Sequence, residues 1–254
     1  MGVRASHRRT LVRSAVLALA AAGFLAAPSM AAEQTIRGKT FIVKSKPPDP
    51  TKRSLKGTAT EKNSANTLVG NPTQSGAAGG AVLDVRANGG SSSAQKLVLP
   101  QGTGLNGKAF WSGDATKGFK YKDGQGEQGP VKAVKIKRSP KGTFTIKVTV
   151  NAKNGTVSVV PPNPGTDGCF ALDLGIGPLA AGDRYNVAFG PDSTITNKGA
   201  TLFKAKKPQL EGLCPVVVTT STSTTTTTST STTSTTIYGS PSKAFLLRSS
   251  GLLD

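Results

Sequence analysis

The strongest constraint on the fold is a period of two in apolar residues, clearest in residues 131–150, VKAVKIKRSPKGTFTIKVTV. In an extended chain successive side chains point to opposite faces, so Phe144, Ile146, Val148 and Val150 share one side. Thr143, Thr145, Lys147 and Thr149 then face water. Upstream, Val134 and Ile136 alternate with Lys135 and Lys137, and the intervening RSPKG supplies the proline and glycine that let a chain reverse. The pattern predicts a β-hairpin with one apolar and one lysine-bearing face.

The same reading extends over most of the chain. Candidate strands are TFIVK (40–44), AVLDVRA (81–87), KLVLP (96–100), KAFW (108–111), GFKYKD (118–123), TVSVV (156–160), CFALDL (169–174), RYNVAF (184–189) and TLFKAK (201–206). Clusters of Gly, Pro, Asn and Asp separate them, and no stretch of ten residues has apolar positions at helical spacing. This predicts an all-β domain, a single β-sandwich or jelly roll, over residues 33–215. Residues 46–80, which open on KPPDPTKR and close on QSGAAGG, read as two loops around one strand near Leu55.

Both ends of the chain lie outside that domain. Arg4, Arg8, Arg9 and Arg13 precede the apolar run AVLALAAAGFLAA, which ends in Pro28 and the small residues SMAA. Residues 1–32 therefore read as an export signal. The run, 13 residues, is shorter than the roughly 20 a membrane-spanning helix needs, so the expected product is secreted, periplasmic or held at the cell surface, with no transmembrane segment. At the other end 18 consecutive Ser and Thr residues run from Thr219 to Thr236, without charge or apolar bulk. Such a tract has nothing to bury against the entropy of ordering, so residues 216–236 read as a linker. Residues 237–254, with the small apolar cluster Phe245, Leu246 and Leu247, form a short tail.

Charge and cysteine usage narrow the function classes. The signal holds four of the 32 Lys and Arg and none of the 13 Asp and Glu, which leaves 28 positive against 13 negative groups, a net of +15. It also holds the only histidine, His7, so imidazole-dependent hydrolysis and the usual zinc sites are excluded. No cofactor or metal site is expected. Cys169 and Cys214, in a chain bound for an oxidising compartment, predict a disulfide, with free thiols as the alternative.

Several strings, GFKYKD at 118–123, GPVKAVKIK at 129–137, GDRYNVAFG at 182–190 and FKAKKPQLEGLCP at 203–215, resemble a group of uncharacterised secreted bacterial proteins built on one β-domain. Those proteins often carry Thr-rich tails, and the likeness spans about residues 36–215. It implies secretion and a β-sandwich and supplies no activity. In similar proteins the RYNVAF strand tends to carry a cysteine where Asn186 stands, a partner for the one before the final proline; Cys169 is the remaining partner for Cys214 here.

The basic surface is the feature that most readily becomes a function. Lys120 and Lys122 lie opposite Phe119 and Tyr121 in their strand, Lys135 and Lys137 opposite Val134 and Ile136, and Lys147 follows on the next strand. If those strands are neighbours, the five ammonium groups share a face that attracts polyanions, such as an anionic polysaccharide or other envelope polymer, through long-range field and counterion release. Lysine without bidentate arginine gives no basis for specific nucleic-acid binding. Against this stands the use of lysine as an ordinary solubiliser and edge protector of sheets. With Phe110 in the core, Trp111 would point outward, the one aromatic to test as a ligand contact. Asp123 with Glu127, or Asp173 with Asp183, could nominally serve a glycosidase, and the run DGQGE could hold calcium. Acids beside glycine are more often turn formers, so no catalytic residue is assigned. The expectation is a non-enzymatic structural or adhesive module, with an extracellular carboxylate-dependent hydrolase and a scaffold without ligand as alternatives.

Overall fold

A computed structural model of the chain describes residues 32–76, 78–175 and 182–217. The segment read as an export signal, up to residue 31, most of the one read as a linker and the tail lie outside the described residues.

The domain is all-β, as its alternation requires. Its strands are β1 (Glu33–Thr35), β2 (Gly38–Lys46), β3 (Asp49–Glu61), β4 (Ala81–Gly89), β5 (Ser93–Leu99), β6 (Trp111–Asp114) and β7 (Gly118–Lys122). They continue with β8 (Val131–Arg138), β9 (Phe144–Asn151), β10 (Gly165–Leu174), β11 (Arg184–Phe189), β12 (Thr194–Lys198) and β13 (Leu202–Lys206). One sheet has the order β1-β11-β10-β4-β5, the other β12-β13-β2-β3-β9-β8-β7-β6. Every pairing is antiparallel except β1 with β11.

The two apolar faces meet as a sandwich. Phe41 of β2 lies against Phe170 and Phe189 of the opposite sheet, at centroid separations of 6.2 and 5.8 Å, and Phe144 stacks on Tyr185 at 5.6 Å. These rings need small residues across from them. A Cβ added at Gly57 would lie 2.6 Å from Phe170, and one at Gly168 would lie 2.7 Å from Phe41. The central hairpin forms as expected, with Val134↔Val148 and Ile136↔Ile146 in register. Its turn closes through Gly142 N–H to the Ser139 carbonyl at 2.9 Å, and Gly142 has φ of 71°, a conformation that favours glycine.

Residues 46–80 hold one strand around Leu55 between two connections, as expected, and that strand is long: Pro47 and Pro48 form a tight turn and β3 then runs thirteen residues. Its inward positions Leu55, Gly57 and Ala59 are mostly small, to admit the opposing phenylalanines, and small residues blur a period-two signal. Residues 156–160 are not a strand, although Val157 and Val159 are buried as the alternation implied. Side chains of β5 satisfy this segment's backbone: Gln95 bonds Thr156 O and Ser158 N at 2.9 Å each, and Ser93 Oγ accepts from Val160 N at 3.0 Å. The strand foreseen at 108–111 begins only at Trp111. Strands β1 and β12 were not anticipated; β1 is three residues long and β12, TITNK, has a single apolar residue.

Candidate polyanion-binding face

The five lysines singled out from the sequence fall on one outer face, on adjacent strands of the eight-stranded sheet. Strand β7 pairs Lys120 with Lys135 of β8, and β8 pairs Lys135 with Lys147 of β9, so these three are direct cross-strand neighbours. Lys122 stands opposite Ala133, and Lys137 opposite Thr145. Lys120, Lys122, Lys135 and Lys147 are exposed, and Lys137 is half-buried.

The face is wider than those five residues. Lys44, Lys56, Lys198, Lys204 and Lys206 share it, because β2, β3, β12 and β13 belong to the same sheet and present alternate residues outward. From Lys147 the row of partners continues through Thr58 and Thr40 to Lys206. The adjacent row places Lys56 opposite Thr149 and Ile42, and Ile42 opposite Lys204. Lys204 is held below the ordinary lysine range by a hydrogen bond to and repulsion from Lys206, with smaller effects from desolvation and from Lys44. Local alternation marks each of these lysines as outward, but only the strand order brings β13 beside β2.

Carboxylates on the strands of this sheet sit at strand ends and are occupied locally. Asp49 bonds Thr51 and pairs with Lys52 at 3.3 Å, Glu61 accepts from Ser64 at 2.6 Å, and Asp114 caps the β6–β7 turn through Lys117 N–H at 2.7 Å. Among the described residues none of the ten lysines forms an ion pair.

Trp111 does not point outward. It is 3% exposed, its Nε1–H donates to the Leu99 carbonyl at 3.2 Å, and its ring lies 5.3 Å from that of Tyr121. Phe110 is buried as well and stacks on Tyr121 at 6.1 Å. Phe110 precedes the first residue of β6, so the alternation assumed across 110–111 does not operate there.

The carboxylates considered for hydrolysis or calcium are held by local structure. Asp123 is buried and accepts from the N–H groups of Gly126, Glu127 and Gln128 at 2.7, 3.0 and 2.7 Å, while Glu127 accepts from Leu105 N–H at 2.8 Å. Asp183 accepts from Ala32 N–H at 3.0 Å and from the Gln34 amide. Among the described residues no cluster of three or more His, Cys, Asp or Glu is placed to hold a metal. Asp173 contacts Arg184 at 2.6 Å, and Arg184 also holds the fully buried Asp84 at 2.9 Å and the Cys214 carbonyl at 2.9 Å. Burial pushes the Asp173 carboxyl up against the pull of Arg184.

Cys169 and Cys214 are disulfide-bonded, with Cα atoms 5.4 Å apart. The bridge lies on the outer face of the five-stranded sheet, where it fastens the segment that follows β13. Asn186 accepts from Cys214 N–H at 3.1 Å, so it holds that segment by a hydrogen bond. Cys214 thus belongs to the side of the sandwich opposite the lysines.

These features define a class: an all-β sandwich with one lysine-covered sheet face and a disulfide-fastened C-terminal segment on the other. No family model, curated protein or solved structure matches the chain. No helix among the described residues is long and apolar enough to cross a membrane.

Proposed function

We propose that this chain is an exported, non-enzymatic structural or adhesive β-module that holds acidic polymers on the lysine face of its eight-stranded sheet. The observation that carries this reading is where the lysines stand. Edge strands use lysine against unwanted pairing, but the edges of this sheet are β6 and β12, whereas Lys44, Lys56, Lys135 and Lys147 are on interior strands. Like charges directly opposite each other destabilise a sheet, and the row Lys120, Lys135, Lys147 accepts that cost twice with no carboxylate beside it. A polyanion supplies the missing counter-charge. The arginine-rich leader followed by an apolar run supports export, as does a disulfide, which persists in oxidising compartments. The Ser/Thr tract serves as a spacer between module and tail.

The test is retention of the exported chain on heparin, nucleic-acid and neutral polysaccharide supports across a salt series, beside the variant Lys120→Gln/Lys135→Gln/Lys147→Gln. The reading expects retention on anionic supports that falls steeply with salt and drops in the variant. Equal retention of the two proteins at every salt concentration overturns it.

A further inference from the structure

One row across the lysine face has lysines at both ends and two threonines between them, and the geometry points to an acidic polysaccharide lying across the strands as its occupant. This rests on the polyanion-binding reading and makes it specific. One row of cross-strand partners reads Lys120, Lys135, Lys147, Thr58, Thr40, Lys206. Five strand spacings separate its ends, about 24 Å at roughly 4.8 Å per spacing. Three ammonium groups occupy one end, two hydroxyls the middle and Lys206, crowded by Lys204, the other end.

The side-chain chemistry of the row selects among polyanions. Single-stranded nucleic acids are held by aromatic platforms as well as charge, and the aromatics of this sheet, Phe41, Trp111, Phe119, Tyr121, Phe144 and Phe203, are buried in the sandwich. A lipid surface is engaged by an apolar edge beside the charges, whereas the row itself carries none and Ile42, in the adjacent row, is a single half-buried side chain. Threonine between lysines suits a chain that carries hydroxyls and charges in alternation along its length, which a bare phosphate polymer does not. The end at Lys204 and Lys206 gives such a chain a second point of attachment, so affinity grows once the chain is long enough to reach both ends.

The experiment compares a long heparin chain with its disaccharide, and uses inorganic polyphosphate, single-stranded DNA and anionic phospholipid vesicles as competitors. Lys204→Gln/Lys206→Gln should weaken the long chain about tenfold and reduce its salt slope by roughly 0.7–0.9 per lysine, leaving the disaccharide unchanged. Thr40→Val/Thr58→Val, which keeps shape and charge, should weaken heparin several-fold with the salt slope intact and leave polyphosphate untouched. If the Lys204/Lys206 variant binds the long chain as the parent does while Lys120→Gln/Lys135→Gln/Lys147→Gln does not, the site is one local patch and the two-ended inference fails alone. If that triple variant binds heparin unchanged, the polyanion reading fails with it. Silent threonine variants together with equal or tighter binding of polyphosphate, DNA or vesicles overturn the assignment to a polysaccharide.

Discussion

Lysine 135 has an ammonium neighbour on each side, so replacing it should strengthen the fold while weakening the proposed binding. Lys120 and Lys147 are its direct partners on β7 and β9. With strands about 4.8 Å apart and the side chains splayed at their tips, each pair of charges is separated by about 7 Å, which at the dielectric of water is about 0.6 kcal/mol of repulsion. Screening over a Debye length of about 8 Å at physiological salt leaves about 0.25 kcal/mol per pair. Lys135→Glu turns two repulsions into two attractions, a gain of about 1 kcal/mol, within the range measured for cross-strand charge pairs. For a domain of this size that is a rise in Tm of about 2–4 °C. At 1 M salt, where the Debye length is about 3 Å, the gain should shrink to a few tenths of a kcal/mol or less. Urea unfolding of parent and variant at both salt concentrations measures the effect, and heparin affinity measured alongside should fall. A variant that is no more stable than the parent in low salt, or whose gain survives 1 M salt, would show that the lysine row is not the uncompensated array described above.

Two further perturbations probe the core behind this face. Gly57→Ala places a methyl group 2.6 Å from the Phe170 ring; overpacking of that kind costs about 1–3 kcal/mol, against about 0.5–1 kcal/mol recovered by removing a strand glycine. The variant should lose about 1 kcal/mol in denaturant titration and regain part of it when Phe170→Leu is added; additive effects of the two changes would refute the contact. At alkaline pH the buried phenols control the outcome. Burial raises the pKa of both Tyr121 and Tyr185 above the ordinary tyrosine value near 10. Their stabilisation is therefore complete below about pH 10 and is lost as pH rises above it, with a slope of about 1.4 kcal/mol per pH unit for each phenol. Tyr185→Phe should be the weaker protein at pH 8, having lost its bonds to Val69 N and Thr67 O, yet show about half the parent's slope in unfolding midpoint between pH 10 and 11.5; an unchanged slope would contradict the assignment.

The class of the fold and the near half of the site were legible in the sequence because both rest on alternation within single strands. Phe144, Ile146, Val148 and Val150 define an inward face whatever lies across from them, and Lys120, Lys135 and Lys147 are then outward. Strands β8 and β9 read as one hairpin, so their adjacency followed as well, whereas that of β7 was a condition that its pairing with β8 meets. The pairing of Cys169 with Cys214 needed only a count of two. What the sequence could not supply depends on residues far apart in the chain. Lys206 joins the row of Lys120 only because β13 pairs with β2, more than 150 residues earlier. The length of β3 was hidden by the small residues Gly57 and Ala59, and at Gly57 Phe170 of the other sheet fills the space a side chain would take. Trp111 was misplaced because alternation holds inside a strand, and where β6 begins is decided by its partner β7 and not by the residues preceding it. Side-chain direction is a local property of extended backbone, so the sequence by itself determined which lysines face water; strand order is a property of long-range packing, so only the tertiary structure decided that they face it together.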